Sequence, residues 1–127
     1  VRRSRCVDRE DSRVSQSCIF CRIAAKDVPA GIVYEDADVV AFRDLSPQAP
    51  THVLVIPKRH VVSLTDMVNA DAALLGAMML VAKKVAVAAG LAGGYRVVTN
   101  SGPDAGQSVS HFHLHVMGGR PMSWPPG

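Results

Sequence analysis

The chain has 127 residues, of which 48% are hydrophobic and 20% charged, as is typical of one globular domain. Its formal net charge is +3, but five arginines fall in residues 1–13, and the nearly neutral remainder argues against a nucleic-acid partner. Three cysteines argue against a disulfide framework, and the longest apolar run, residues 72–82, is shorter than the about 20 residues that a membrane helix needs. We therefore expect a cytoplasmic protein without a membrane segment.

The first half of the chain predicts a short helix followed by strands. Residues 1–16 lack a hydrophobic pattern and are predicted to be a disordered tail, which leaves residues 17–127 as the folded domain. Ser17 is a possible N-cap of a helix that ends before Pro29. Runs rich in β-branched and aromatic residues then predict three antiparallel strands at residues 31–36, 39–44 and 51–58.

The second half predicts one long helix and two more strands. The helix runs from about residue 70 to 90, with Asn69 or Asp71 as its cap and glycines at its end. Its apolar side chains surround much of its circumference, so we expect burial on two sides, by its own sheet and by a second copy of the chain. Strands at residues 95–100 and 111–117 complete an α+β fold with a five-stranded antiparallel sheet, one long helix and one short helix.

Residues 111–117, "HFHLHVM", alternate three histidines with apolar side chains. In a strand, this alternation places His111, His113 and His115 on one face, near an exposed surface, and the apolar residues in the core. A purely structural role is disfavoured, because histidine has no special strand propensity and is costly to bury. Two functions fit the pattern: ligands of a hydrolytic zinc ion, or a neutral imidazole that attacks phosphorus.

A glycine-containing loop, "NSGPDAGQS" at residues 100–108, leads directly to the histidines. Gly102 and Gly106 would let backbone N–H groups approach an anion, and the Ser108 hydroxyl would add a donor. The loop therefore predicts a phosphate site beside the imidazoles and favours phosphorus chemistry.

Together with "GQSVSHFHLHVMGGRPMSWPPG" and with "LSPQAPTHVLVIPKRH" at residues 45–60, the histidine pattern resembles the Hint branch of the histidine-triad (HIT) family, from about Cys18 to Gly127. The resemblance implies a homodimer whose sheets join into ten strands, and hydrolysis of the P–N bond of purine nucleoside 5′-phosphoramidates, with AMP- or GMP-like ligands. A histidine at position 115, where transferring relatives tend to have glutamine, favours hydrolysis. The alternatives are a dinucleoside polyphosphate hydrolase and a nucleotide-binding regulatory or scaffold protein with incidental activity.

The resemblance also implies roles for individual residues. His113 matches the nucleophile that forms a nucleotidyl-histidine intermediate, with its other ring nitrogen donating to the carbonyl of His111. His115 and Ser108 match catalytic residues at the phosphate, and His115, linked to His52, is the candidate general acid. The remaining matches are Phe20, Ile23, Val28 and Leu45 around the purine, Asp44 at the ribose, Asn100, Gly106 and Gln107 on the ligand side, and Trp124 reaching across the dimer.

Two cysteines in "CIFC", Cys18 and Cys21, form a pair that suits a tetrahedral zinc site when two histidines complete it. Relatives that keep the pair combine it with a histidine before the central strand and the first triad histidine, which implies His52 and His111 here. Such a site would be structural, would attach the first helix to the sheet, and would leave His113 free of metal, so that the chemistry itself requires no cofactor. A redox pair and two buried thiols are the alternatives.

Overall fold

Five antiparallel strands form one sheet in the computed structural model, which describes residues 17–127. They are β1 (Ile32–Glu35), β2 (Val39–Arg43), β3 (Thr51–Pro57), β4 (Tyr95–Val98) and β5 (Leu114–Gly118). Their order across the sheet is β1-β2-β3-β5-β4, so β5 lies between β3 and the edge strand β4. The predicted α+β class and all five predicted strands are confirmed, whereas the predicted tail at residues 1–16 lies outside the described residues.

Two α-helices accompany the sheet: α1 (Ile19–Ala24) and α2 (Ala72–Ala88). The N-cap of α1 is Cys18, not the predicted Ser17, and its sulfur accepts from the backbone N–H of Cys21 at 3.4 Å. The long helix begins after a 3-10 turn at Asn69–Asp71, at which the Asp71 carboxylate accepts from Val68 N at 2.9 Å.

The sheet is packed on both faces. On one face, α2 covers the larger apolar cluster, which includes Phe112, Leu114 and Val116, so the predicted alternation along the histidine segment is confirmed. The second cluster covers the opposite face and consists of Phe20, Ile23, Val40, Phe42, Leu54 and Ile56. Because Phe20 and Ile23 come from α1, this helix packs on the histidine face of the sheet.

The two sides of α2 differ in burial. Met78, Val81 and Val85 are buried against the sheet, as predicted. Other apolar side chains of the helix are exposed in the single chain: Met79 to 50%, Leu80 to 57% and Val87 to 69%. The predicted second layer of burial, by another copy of the chain, therefore stays a prediction. No helix within residues 17–127 has both the length and the apolar character needed to cross a bilayer.

Candidate active site

His113 is held in one tautomer by the backbone. Its Nδ1 lies 2.7 Å from the carbonyl oxygen of His111, and because a carbonyl can only accept, Nδ1 carries the proton and Nε2 the lone pair. The residue is only 4% exposed, and its ring packs edge-on against Phe20, with the centroids 5.2 Å apart. Burial lowers the pKa of His113 below 6.5, so the ring is neutral at pH 7.

The histidines lie deeper than the strand pattern predicted. His111 is fully buried and His113 nearly so, and both precede β5, whose ladder with β3 ends at the pair Val55 and Leu114. The prediction that the histidines lie near an exposed surface is therefore wrong for these two residues. Their burial is possible because ring nitrogens find protein partners, and His111 Nε2 lies 2.8 Å from the carbonyl oxygen of Pro57.

Four side chains, hereafter the Cys/His cluster, converge between α1 and the segments that follow β3 and precede β5: Cys18, Cys21, His60 and His111. The Sγ atoms of Cys18 and Cys21 lie 3.3 and 3.4 Å from His111 Nδ1. His60 Nδ1 lies 3.2 Å from both Cys21 Sγ and His111 Nδ1. Such separations fit ligands around one tetrahedral zinc ion, whose bonds to nitrogen and sulfur are about 2.0 to 2.3 Å long.

Protonation in the Cys/His cluster also suits a cation. Since His111 Nε2 donates to the Pro57 carbonyl, the Nδ1 lone pair of His111 points into the cluster. Hydrogen bonding by Cys21, followed by His111 and His60, lowers the pKa of the Cys18 thiol from 9.0 to about 2, which favours the thiolate. The residues therefore fit zinc, which would supply a crosslink between α1 and the sheet.

The fourth member of the cluster is His60, and the predicted ligand His52 lies elsewhere. The antiparallel register of β3 and β5 pairs His52 with Met117 and Val55 with Leu114. Continuing this register, the position opposite His111 is residue 58, which is six residues or about 20 Å along the strand from His52. His60 follows the end of β3 nearest to His111, and His52 is at the other end.

His52 instead belongs to a chain of polar side chains with Asp44 and His115. Its Nε2 lies 2.9 Å from His115 Nδ1 and 3.4 Å from Asp44 Oδ2. Burial lowers the pKa of His115 to about 4, and the neighbouring His113 and His52 add to this shift. The predicted link between His115 and His52 is thus present, and both rings are neutral at pH 7. The ring centroids of His113 and His115 are 5.0 Å apart.

The glycine loop adopts a backbone conformation that glycine favours. Gly102 and Gly106 have φ angles of 86° and 81°, in the region that favours glycine. However, the N–H groups of Gly106 and Gln107 already donate within the loop, to Pro103 O and Gly102 O. These two N–H groups therefore stabilise the loop itself. Of the donors predicted for a phosphate, the exposed Ser108 is the one nearest in sequence to the histidine segment.

Gln107 braces the loop with its side chain. Its Nε2 donates to the carbonyls of Val62 and Val109, at 2.6 and 3.0 Å, and its Oε1 accepts from Gly102 N at 2.9 Å. Because both ends of this amide have protein partners, Gln107 positions the loop beside the histidines.

The predicted purine residues separate into buried and exposed groups. Phe20 and Ile23 are core residues of the α1 face, and Val28 packs against the same cluster. In contrast, Leu45 is 96% exposed and Trp124 82% exposed, so both are available to a ligand or partner. The predicted polar residues Asp44 and Asn100 are half-buried.

A family model of the HIT domain matches residues 25–122, which include the three histidines and the glycine loop. The chain belongs to the HIT family. An uncharacterized HIT-like protein of Synechococcus elongatus is 48% identical over 114 residues, covering 90% of this chain and 100% of that relative. The crystal structure of a HIT family hydrolase from Legionella pneumophila Philadelphia 1 has a TM-score of 0.85 at 50% identity, covering 87% of this chain and 99% of that chain.

A zinc-bound histidine triad family protein from Mycobacterium smegmatis is also similar, with a TM-score of 0.73 at 41% identity. The match covers 84% of this chain and 77% of that chain. The HIT family and the fold of its hydrolases are thus confirmed for this chain, whereas membership of the Hint branch stays a prediction.

A cavity of about 540 Å³ in this HIT protein borders the site without containing its centre. It lies between α2 and the ends of β2 and β3, and its lining includes Asp44, His52 and Lys84. Since His113 is not part of the lining, the cavity is not where a group attacked by His113 Nε2 would lie.

Proposed function

We propose that this HIT protein hydrolyses purine nucleoside phosphoramidates, cleaving the P–N bond and releasing a nucleoside monophosphate. The observation that carries the proposal is the 2.7 Å hydrogen bond from His113 Nδ1 to the His111 carbonyl. It leaves Nε2 of a buried, neutral ring as the nucleophile, which is the state that attack on phosphorus requires. The fold of HIT family hydrolases and the resemblance to the Hint branch support the substrate class.

In the first step, the lone pair of His113 Nε2 forms a bond to phosphorus, and the P–N electron pair leaves with the nitrogen, which takes a proton from solvent. In the second step, water attacks the nucleotidyl-histidine, the P–Nε2 electron pair returns to His113, and the proton of the attacking water is released. One water is consumed and the protons balance over the cycle. Donors at the phosphoryl oxygens, for which we propose Ser108 and His115, stabilise the charge that develops there.

The remaining predicted residues hold the nucleotide in this proposal. Asp44 accepts from the ribose hydroxyls, and the exposed Leu45 lies against the purine, with Phe20, Ile23 and Val28 forming the apolar floor behind it. Asn100 contributes on the ligand side. Gly106 and Gln107 act by keeping the loop in place rather than through the atoms that are already hydrogen-bonded.

We further propose that the Cys/His cluster holds a structural zinc ion. The separations of its four ligand atoms and the thiolate character of Cys18 support this, as does the zinc-bound relative. His113 is not part of the Cys/His cluster, so a zinc ion held there would leave the Nε2 lone pair of His113 free to attack phosphorus.

Turnover of adenosine 5′-phosphoramidate tests the proposed function. We expect AMP and ammonia to form in equal amounts, as measured by chromatography and by an ammonia assay. In a rapidly quenched sample, the mass of the protein should have increased by one adenylyl group. A panel that adds guanosine 5′-phosphoramidate and dinucleoside polyphosphates separates the alternatives. Faster cleavage of the polyphosphates, or tight nucleotide binding with no turnover of any phosphoramidate, would contradict the proposal.

We also propose a homodimer in which β4 pairs with β4 of a second copy to make a ten-stranded sheet. β4 is an edge strand, and the exposed apolar residues of α2 and the exposed Trp124 offer further surface to a partner. In this dimer, Trp124 reaches the nucleotide site of the other copy.

Replacing Leu80, which is 57% exposed on α2, with glutamate is expected to weaken the dimer. A charge on an apolar interface is costly to bury, so light scattering should shift from twice the 13.5 kDa chain mass toward the chain mass. Leu64→Glu, at a residue that is 44% exposed in a 3-10 turn, is the matched control and should stay dimeric. A wild-type protein that is monomeric at micromolar concentration would refute the dimer.

The pH dependence of turnover should show the lowered pKa of His113. A lowered pKa means that the ring takes up its proton only at lower pH, so the nucleophile stays active below the usual histidine value of about 6.5. We therefore expect kcat/KM to change little between about pH 7.5 and 6.5 and to fall below that range. An acid limb with its midpoint above about 6.5 would show that burial does not control this ring.

A further inference from the structure

The loop between β2 and β3, residues 44–50, is braced by its own hydrogen bonds. The Asp44 carboxylate accepts from Ser46 N at 2.8 Å, and the side-chain Nε2 of Gln48 donates to Ser46 O at 3.1 Å. The loop ends on the backbone hydrogen bond from Asp44 N to His52 O, at 3.0 Å. It therefore has a defined shape directly beside His52.

The segment after β5 clamps this loop from outside. Arg120 donates to the Gln48 carbonyl through both Nε, at 3.1 Å, and Nη2, at 2.9 Å. Gly119 has a φ of 93°, and a Cβ at this position would lie only 2.9 Å from Pro50 Cβ. The two hydrogen bonds from Arg120 to the Gln48 carbonyl, and the close approach of Gly119 to Pro50, hold the 44–50 loop against the segment that follows β5, the strand that carries His115.

The fixed backbone determines the direction of the hydrogen bonds that lead to His115. Gln48 N lies 2.9 Å from His52 Nδ1, and a backbone N–H can only donate, so His52 Nδ1 is an acceptor and Nε2 carries the proton. His52 Nε2 then donates to His115 Nδ1 across 2.9 Å. It follows that the remaining proton of a neutral His115 is on Nε2.

We propose that Arg120 is a positioning residue that, through the backbone N–H of Gln48 and the ring of His52, sets the tautomer of His115. His115 is thereby held as an Nε2–H donor. The catalytic meaning of this tautomer rests on the proposed function, in which Nε2–H binds a phosphoryl oxygen, but the tautomer itself does not.

The hydrogen bonds from Gln48 N through His52 to His115 also exclude one role for His115. If neutral His115 gave its Nε2 proton to a leaving amine, it would need another proton at Nδ1 from His52. His52 would in turn need a proton at Nδ1 from the backbone N–H of Gln48, and a backbone amide does not act as an acid. His115 therefore supplies a hydrogen bond rather than a net proton, and the proton on the leaving amine comes from solvent.

Nitrogen-15 NMR of the histidine rings measures the tautomer directly, without substrate, on the full chain at pH 7.5. We expect His115 to show a protonated Nε2 and an unprotonated Nδ1. Gln48→Pro removes the N–H, and Arg120→Gln removes the clamp, so each variant should give His115 resonances of mixed tautomers. Gln48→Ala keeps the N–H and should keep the wild-type nitrogen shifts.

Arg96→Gln is the matched control for the arginine. Arg96 also donates to a backbone carbonyl of the C-terminal segment, that of Ser123 at 2.8 Å, but not to the 44–50 loop. This variant should keep the His115 nitrogen shifts. Arg120→Gln should also lower kcat for adenosine 5′-phosphoramidate by roughly tenfold with little change in KM, because a donor to the transition state becomes misaligned.

The outcomes separate the two proposals. Wild-type His115 protonated on Nδ1, or unchanged shifts in Arg120→Gln, would overturn the role of Arg120, whatever the activity. The expected shifts in a protein that cleaves no phosphoramidate would uphold the tautomer control and refute only the proposed function.

Discussion

Replacing His113 with alanine is expected to lower kcat/KM for adenosine 5′-phosphoramidate by at least about 10⁴-fold, because a covalent mechanism has no substitute for its nucleophile. AMP should still bind, since the loop and the apolar residues that hold the nucleotide are unchanged. Steady-state assays and calorimetry with AMP measure the two effects. The quenched protein should also show no adenylyl adduct.

Ser110→Ala is a suitable control for this experiment. Ser110 is exposed and lies in the same segment, so its replacement perturbs the surroundings of the histidines without touching the proposed chemistry. We expect its rate to stay close to that of the wild type. If His113→Ala kept even a tenth of the wild-type rate, nucleophilic catalysis by His113 would have to be abandoned.

The second large effect concerns the Cys/His cluster. We expect about one zinc ion per chain in the purified protein, and His60→Ala should remove most of it. A ligand at about 100 times its Kd stabilises the folded state by about 2.7 kcal/mol. At about 4 °C per kcal/mol, loss of zinc should lower the Tm by about 10 °C. Elemental analysis and calorimetry with and without a chelator measure these changes.

His52→Ala distinguishes the structure from the sequence-based prediction of the metal site. His52 is hydrogen-bonded to His115 and is not part of the Cys/His cluster, so its replacement should leave the zinc content unchanged while slowing turnover. Loss of zinc in His52→Ala and its retention in His60→Ala would contradict the arrangement. Zinc well below half an equivalent per chain, with no effect of chelator on the Tm, would refute the structural metal.

The fold was largely predictable because its patterns are local. Alternation around Phe112, Leu114 and Val116 identified the strand and its buried face, and the apolar run in residues 72–82 identified α2. The cap of α1 was not predictable in the same way, because Ser17 and Cys18 are both able to accept from a helix N–H and only the path of the chain decides between them.

The site was predictable only where sequence neighbours act together. His111 and His113 are two residues apart, so the hydrogen bond between them follows from the strand. The choice between His52 and His60 depends on the register of β3 against β5, which no short motif contains. That register could have been used, since residues just after β3 must meet residues just before β5 in an antiparallel pair.

The roles of Gln107 and Arg120 also required the structure. Side-chain hydrogen bonds to distant carbonyls, such as those of Val62 and Gln48, leave no periodic signal in a sequence. A glutamine or arginine near a functional motif is more readily interpreted as a ligand contact than as a brace.

His111 serves the nucleophile through its main chain and the Cys/His cluster through its ring. Every amino acid has a carbonyl group, so exchanging the side chain at position 111 leaves the acceptor for His113 in place. A saturation scan of the three triad positions should therefore give unlike profiles. Substitutions at position 113 that the core tolerates, such as alanine, should reduce turnover far more than protein abundance, and those at position 111 should be recorded chiefly as lower abundance.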